Sequence, residues 1–257
     1  MISYIILENF KSFKKIKLDL RNANKMPKKI AFIYGENGSG KTNLVASIFF
    51  LRKTFETLAA QEKLKSFDES NLNDLIEGID NNAKKNIYES IIKNTFKTLE
   101  SLINDYKMIG STQNMVIEIG FYLDNKEGIY TLKFDNEKIV SESLYFTINK
   151  RVGEIFSITK DSILLNDSIF IETKYKKELL EEIKKYWGKH SFMSIIFYEM
   201  NIKNNEYFNS NLNSNFISVI SMLKKLTVLY KTKESREAIF SIPFKFLSNL
   251  ESGIINT

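Results

Sequence analysis

The chain has 257 residues, 43% of them hydrophobic and 26% charged, which is typical of a folded globular protein. It has no cysteine and one histidine, His190, so disulfides, cysteine zinc sites and multi-histidine metal sites are excluded within these residues. The net charge is +6, no apolar run approaches the roughly 20 residues that span a bilayer, and no signal peptide is recognisable at the start. We therefore expect a cytoplasmic protein in which His190 packs rather than catalyses.

The first third of the chain predicts strands that lead into a glycine-rich loop. Residues 2–7 are β-branched and apolar, and residues 13–20 alternate with Ile16, Leu18 and Leu20 on one face, which is typical of strands. Residues 29–34 predict a buried strand that runs directly into the loop. After the loop, apolar residues at three- and four-residue spacing predict one face of an amphipathic helix: Leu44, Val45, Ile48, Leu51 and Phe55.

The remainder alternates between helical and strand patterns. Residues 61–109 are polar with helical spacing and predict a helical insertion, whereas 114–166 hold short apolar runs separated by Asn, Asp and Gly turns. The latter pattern predicts an antiparallel meander. The further predictions are a helix at 174–200, a loop at 201–215, a helix at about 216–225 and a strand at 226–230.

Residues 35–42 carry the clearest chemical signal, because they read Gly-Glu-Asn-Gly-Ser-Gly-Lys-Thr and match the P-loop pattern in full. Glycines let the backbone curl so that its N–H groups form an anion-binding nest, and the following helix adds its positive end. Lys41 is expected to hold the β- and γ-phosphates, and Thr42 to ligate Mg²⁺. The residues predicted to contact the nucleotide, ATP, are Gly35, Glu36, Asn37, Gly38, Ser39, Gly40, Lys41, Thr42 and Asn43.

The loop and the start of the chain resemble the SMC, RecF and OLD-like ATPases of ABC type. The loop sequence continues into Asn43, as in those proteins, and residues 7–13 read Leu-Glu-Asn-Phe-Lys-Ser-Phe, which is similar to their N-terminal strand-turn signature. Bacterial abortive-infection and other anti-phage ATPases resemble the chain most. The resemblance implies that Lys11 and Ser12 approach the nucleotide, although lysine in place of arginine loses the planar fork.

The fold implied by this resemblance is an α/β P-loop NTPase, an ABC-type ATPase head with a mixed sheet, an antiparallel β-meander subdomain and helical insertions. The chain would be the N-terminal portion of one head. Its expected parts are a P-loop core at 1–55, a helical insertion at 56–111, an antiparallel β subdomain at 112–170 and a mainly helical arm at 171–257. Two such heads would enclose two ATP molecules, so a homodimer or higher oligomer is expected of the complete protein. No membrane association is expected.

The catalytic part of such an ATPase is not recognisable in the chain. A Walker B strand ends in Asp and Glu, which bind Mg²⁺ and position water. Residues 194–199 end in Glu199 but carry Tyr198 in place of the Asp, residues 169–172 end in Glu172 without an acidic pair, and Ser252-Gly253 lacks the flanks of a signature motif. We therefore expect a piece of a longer protein that hydrolyses ATP when complete, with its catalytic residues unknown and with negligible hydrolysis by this piece alone.

Three functions remain open from the sequence. The first is an ATP-dependent head in phage defence or in DNA or RNA transactions, whose further partners would be nucleic acid and an effector nuclease or toxin. The second is a self-contained P-loop kinase or NTPase, and the third is a nucleotide-binding module without turnover. Residues 1–53 carry eleven Lys or Arg and three acids, a balance of +8 that favours contact with nucleic acid unless these lysines only solvate a strand face.

Overall fold

A single antiparallel sheet organises the protein in the computed structural model, which describes residues 1–66, 97–147 and 152–226. Within those residues seven strands lie in the order β2-β1-β3-β4-β5-β6-β7, and every neighbouring pair is antiparallel. The strands are β1 (Ile2–Phe10), β2 (Phe13–Asp19), β3 (Met115–Leu123), β4 (Lys126–Phe134), β5 (Ile139–Thr147), β6 (Val152–Thr159) and β7 (Ile163–Leu165). The strands β3 to β7 therefore form the meander that the turn residues between 114 and 166 predict.

Helices cover one face of this sheet. The helices in the described residues are α1 (Lys41–Ser66), α2 (Leu99–Tyr106), α3 (Thr173–Tyr186), α4 (Phe192–Ile202), α5 (Asn205–Asn211) and α6 (Ser214–Leu226). None of them is long and apolar enough to cross a membrane. The part of the predicted helical insertion at 67–96 lies outside the described residues, as do residues 227–230 of the strand predicted after α6.

The long helix α1 is packed between the sheet and α4 through aromatic edges. Phe50 meets Phe10 of β1 and Phe134 of β4 in edge-to-face contacts, with ring centroids 5.9 and 5.2 Å apart. Further along the helix, the Phe55 ring contacts Phe197 of α4 at 5.4 Å in the same way. Because such pairs are directional as well as apolar, they fix the rotation of α1 about its axis. The start of α1 is thereby held at one position relative to β1.

A buried carboxylate ties the sheet to the start of α4. Glu142 of β5 is fully buried and accepts hydrogen bonds from the Tyr130 hydroxyl at 2.7 Å, the Trp187 indole at 3.0 Å and the backbone N–H groups of Phe192 at 2.6 Å and Met193 at 3.3 Å. Burial raises the pKa of Glu142 to about 7, although the four donors act in the opposite direction. The positive end of α4 thus faces a group that carries negative charge when ionised.

The strand predicted at 29–34 is not formed. These residues are exposed and outside any strand, with Phe32 74% and Tyr34 86% exposed, and they make no backbone–backbone hydrogen bond within the described residues. A strand requires a neighbour, and the described part of the chain supplies none beside this segment. The mixed sheet predicted from the resemblance is therefore absent from the described residues. Val45, predicted on the buried face of α1, is 50% exposed for the same reason, since it lies at the end of the helix next to this segment.

The helical region after the sheet differs from its prediction in two places. The helix predicted at 174–200 is divided into α3 and α4 by a turn in which Gly188 has a φ of +95° and Ser191 caps α4 by accepting from the Ser194 N–H. The loop predicted at 201–215 contains the helix α5. Asn204 caps the start of this helix by accepting a hydrogen bond from the Tyr207 N–H. In both cases short polar side chains cap helices that the apolar spacing does not reveal.

Candidate functional site

The glycine-rich loop curls immediately before α1. Gly38 and Gly40 have φ angles of +86° and +88°, a left-handed conformation that favours glycine, and the Ser39 N–H donates to the Glu36 carbonyl at 3.2 Å. The backbone N–H groups of Gly40, Lys41 and Thr42 donate no hydrogen bond within the described residues. These free donors at a helix start form the kind of nest that binds anions.

The ammonium group of Lys41 lies over this loop. Its Nζ donates to the carbonyl oxygens of Gly35 and Glu36, both at 2.7 Å, and to Ser39 Oγ at 3.4 Å. Thr42 is exposed in the first turn of α1, and its hydroxyl forms no hydrogen bond with the described residues. A positive charge, free amides and an exposed hydroxyl therefore converge within eight consecutive residues. This donor set matches an oxyanion bound together with a hard cation such as Mg²⁺.

The β1–β2 turn supports the loop from the side. Asn43 Nδ2 of α1 donates to Ser12 Oγ at 2.8 Å, and the ring of Phe13 lies against Gly40. A methyl group built at Gly40 would meet Phe13 Cζ at 2.6 Å, closer than nonbonded carbon atoms approach. Ser12 thus lies beside the loop, and its contact with a nucleotide stays a prediction. Phe13 has no role among the sequence predictions. Its position at the end of the strand-turn signature is the signal that could have identified it.

Lys11 lies in the same turn but points elsewhere. Its Nζ donates to the Asp105 carbonyl at 2.6 Å and lies 4.5 Å from the centre of the Tyr106 ring. The residue has a φ of +51°, and its backbone N–H donates to the Tyr106 carbonyl at 2.7 Å, so the turn is attached to the end of α2. The structure therefore does not bring the Lys11 ammonium to the loop, and its contact with a nucleotide stays a prediction.

We expect Gly40→Ala to destabilise the protein more than Gly38→Ala. Both residues have nearly the same positive φ, so both substitutions cost about 1 to 2 kcal/mol of left-handed strain. Only Gly40 has a neighbour in contact, since nothing lies within 4 Å of a methyl group at Gly38. Displacing Phe13 should cost about 1 to 3 kcal/mol more. Urea denaturation of both variants measures the difference, and equal losses would show that the Phe13 ring moves away freely.

The carboxylates considered for a Walker B role lie in helical surroundings. Glu199 is in α4, is buried, and accepts from the Tyr175 hydroxyl at 2.6 Å. Glu172 is exposed at the position before α3 and makes no capping hydrogen bond there. Neither carboxylate ends a strand, since Glu199 lies within a helix and Glu172 lies at the position before one. The Ser252-Gly253 pair lies outside the described residues, and no group of three or more potential metal ligands occurs in the described ranges.

The part of the chain that holds this site matches a family of known proteins. The model of the RecF/RecN/SMC N-terminal domain matches residues 1–150, which include the β1–β2 turn, the loop and α1. A stretch of 47 residues is 51% identical to the chromosome partition protein Smc of Methanocaldococcus jannaschii. That alignment covers 18% of the chain and 4% of the archaeal protein.

Proposed function

Because the chain belongs to the family of RecF/RecN/SMC N-terminal domains, we propose that it is the nucleotide-binding part of an ATPase head and that it binds ATP with Mg²⁺. One observation carries the proposal: the Lys41 ammonium lies over a loop whose glycines have left-handed φ angles and whose amides are free. Phosphate oxygens would replace the loop carbonyls as acceptors of the Lys41 hydrogen bonds, because a charged acceptor makes the stronger bond.

The proposed roles follow from the position of each group. The free N–H groups of Gly40, Lys41 and Thr42 would hold the phosphate oxygens, Lys41 would neutralise their charge, and the Thr42 hydroxyl would ligate Mg²⁺, which offsets charge between the phosphates. Asn43 would act indirectly by holding Ser12 beside the loop, given their 2.8 Å hydrogen bond. Glu36, Asn37 and Ser39 are retained as contacts on the strength of the motif.

The exposed segment 29–34 supports a further part of the proposal. We infer that a second unit supplies the strand that pairs with this segment, along with the Walker B carboxylates and the signature motif. The side chains of Ile30, Phe32 and Tyr34 are each more than half exposed, and burying them against a neighbouring strand would be strongly favourable. Two complete heads would then associate around ATP. Of the other two functions, a self-contained kinase is disfavoured by the strand-turn signature at residues 7–13, whereas binding without turnover requires only the loop groups that the structure describes.

A titration with a fluorescent ATP analogue tests the proposal directly. We expect saturable binding of the analogue, with an affinity that Mg²⁺ raises by about tenfold. In the absence of Mg²⁺ the Thr42→Val protein should have the same affinity as the unmodified protein, but adding Mg²⁺ should raise its affinity little. The matched control is Thr173→Val, which removes an exposed threonine hydroxyl from the start of another helix, α3. If the unmodified protein shows no saturable binding of the analogue, the proposal is wrong.

Nucleic-acid contact is a second candidate function, and the lysines of β2 favour it. Lys14, Lys15 and Lys17 are exposed on this edge strand, although Lys15 pairs with Glu8 at 2.6 Å and the Lys17 ammonium lies 5.1 Å from the centre of the Tyr4 ring. Only part of their charge is therefore free to meet phosphates. The setting in phage defence rests on the resemblance of the loop sequence, and a plaque assay with cells that express the complete gene or its Lys41→Ala form would test it.

We expect weak binding of short duplex DNA and RNA that declines steeply with salt. Each phosphate contact releases counterions, so reversing the three β2 lysines to glutamate should lower the slope of log affinity against log salt by up to about three. The matched control reverses Lys174, Lys177 and Lys184 of α3, which are exposed and change the net charge equally. Fluorescence anisotropy across a salt series measures both variants. If the two triple variants lose the same affinity, net charge alone acts and β2 is not an interface.

A further inference from the structure

A second cavity lies at the far end of α1 from the glycine-rich loop. It has a volume of about 540 Å³ and lies where α1, the start of α2, the β4–β5 turn and the α3–α4 connection meet. Gln61, which lines it, follows Lys41 by twenty residues, or roughly 30 Å of helix. The cavity is therefore separate from the candidate nucleotide site, and its volume is in the range of small-molecule sites.

The floor of this cavity is polar and neutral. His190 is buried, with Nδ1 2.9 Å from Thr57 Oγ1 and Nε2 2.5 Å from Gln61 Oε1. Burial lowers the pKa of His190 to about 4, so the ring is uncharged at neutral pH. The histidine holds one end of the Gln61 amide. The other end of that amide has no hydrogen-bond partner within the described residues and is left to meet a ligand.

Charges of both signs surround the mouth of the cavity. Glu100 and Glu137 are exposed there, as are Lys138 and Lys189, and none of the four forms an ion pair within the described ranges. A third lysine at the mouth, Lys97, is already bound to Asp105 at 2.5 Å. A purely anionic or purely cationic ligand would therefore meet repulsion as well as attraction at this mouth.

We propose that the cavity binds a small zwitterion of the amino-acid or short-peptide class. The ligand carboxylate lies by Lys138 and Lys189, its ammonium by Glu100 and Glu137, and its peptide or side-chain carbonyl accepts from the Gln61 amide. This arrangement uses both signs of charge at the mouth and the unused donor on the floor. It is independent of nucleotide binding, because none of these groups belongs to the loop or to the first turns of α1.

Triglycine and its two blocked forms test the proposal. Triglycine is a zwitterion, N-acetyl-triglycine keeps only the carboxylate, and triglycine amide keeps only the ammonium. We expect saturable shifts of the Gln61 side-chain amide in ¹H–¹⁵N NMR spectra with triglycine, and affinity at least roughly tenfold lower for each blocked form. No saturable shift with triglycine overturns the proposal. Equal affinity for one blocked form also overturns it, in favour of a simple anion or cation site.

Paired variants check the location. Lys189→Gln should weaken triglycine and N-acetyl-triglycine but not triglycine amide, and Glu100→Gln should weaken triglycine and triglycine amide but not the acetylated form. The matched controls are Lys184→Gln and Glu181→Gln, which alter an exposed ion pair on α3 and should change no affinity. All four positions are exposed, so the variants are expected to fold. Controls that weaken binding as much as the mouth variants would contradict the assigned site.

Discussion

Replacing Lys41 by alanine is expected to abolish detectable ATP binding while the protein stays folded. The ammonium lies over the loop on three hydrogen bonds, and no other lysine or arginine side chain of the described residues donates to the loop. Charge-assisted hydrogen bonds to phosphate contribute about 1.5 to 3 kcal/mol each, so losing two of them weakens binding by a factor of at least about 10². Equilibrium titration with a fluorescent ATP analogue, with and without Mg²⁺, measures the loss.

The control for this variant is Lys53→Ala. Lys53 is exposed on the same helix, twelve residues or about 18 Å further along, so its removal changes the net charge equally without touching the loop. Unchanged affinity in a folded Lys41→Ala protein would falsify the assignment of the loop as a nucleotide site. Equal losses in both variants would show that net charge, rather than the Lys41 contact, governs binding.

Glu142→Gln should lower the free energy of unfolding by about 3 to 5 kcal/mol. Each carboxylate oxygen of Glu142 accepts two hydrogen bonds. One accepts from the Tyr130 hydroxyl and the Met193 N–H, and the other from the Trp187 indole and the Phe192 N–H. An amide of the same shape places an NH2 group, which cannot accept, against two other donors in a fully buried site, whereas a protonated carboxyl keeps lone pairs on both oxygens. Urea denaturation measures the change. The control is Glu154→Gln, since Glu154 accepts from the Tyr145 hydroxyl in an exposed position and should matter by less than about 1 kcal/mol.

The Glu142 carboxyl should also make the free energy of unfolding decrease as the pH rises. Its pKa is raised from 4.5 to about 7 in the folded protein, so the folded state holds the proton more tightly than the unfolded state. Its contribution to stability is therefore fully present below about pH 4.5, falls as the pH rises toward 7, and is constant above that, for a total of about 3 kcal/mol. The Glu142→Gln protein should lack this part of the pH dependence, and an unchanged profile in that variant would assign it to another group.

Patterns among neighbouring residues predicted the strands and turns of the meander and the glycine-rich loop. The meander follows from alternating residues and from turns such as Asp124–Asn125, both of which have positive φ. The loop follows from a motif that fixes four of its eight positions. The segment 29–34 was predicted wrongly because an apolar run marks a strand only if another strand lies beside it. Hydrogen bonds between residues far apart in the chain could not be predicted from local patterns. Ser12 and Asn43 are 31 residues apart, and no local pattern connects Glu142 with Trp187. The cavity around His190 combines four segments and has no signature in any of them.

The uncovered segment before the loop has a consequence for the synthesis of the protein. From the moment Ile30, Phe32 and Tyr34 leave the ribosome, they present exposed apolar side chains, and no residue up to 226 that the structure describes covers them. At roughly 5 to 20 residues per second, synthesis of the chain from this segment to residue 226 takes at least about ten seconds. During that interval nascent chains on one messenger RNA can associate through these exposed apolar side chains. Chaperone supply, rather than the stability of the antiparallel sheet, would then limit the yield of correctly assembled protein.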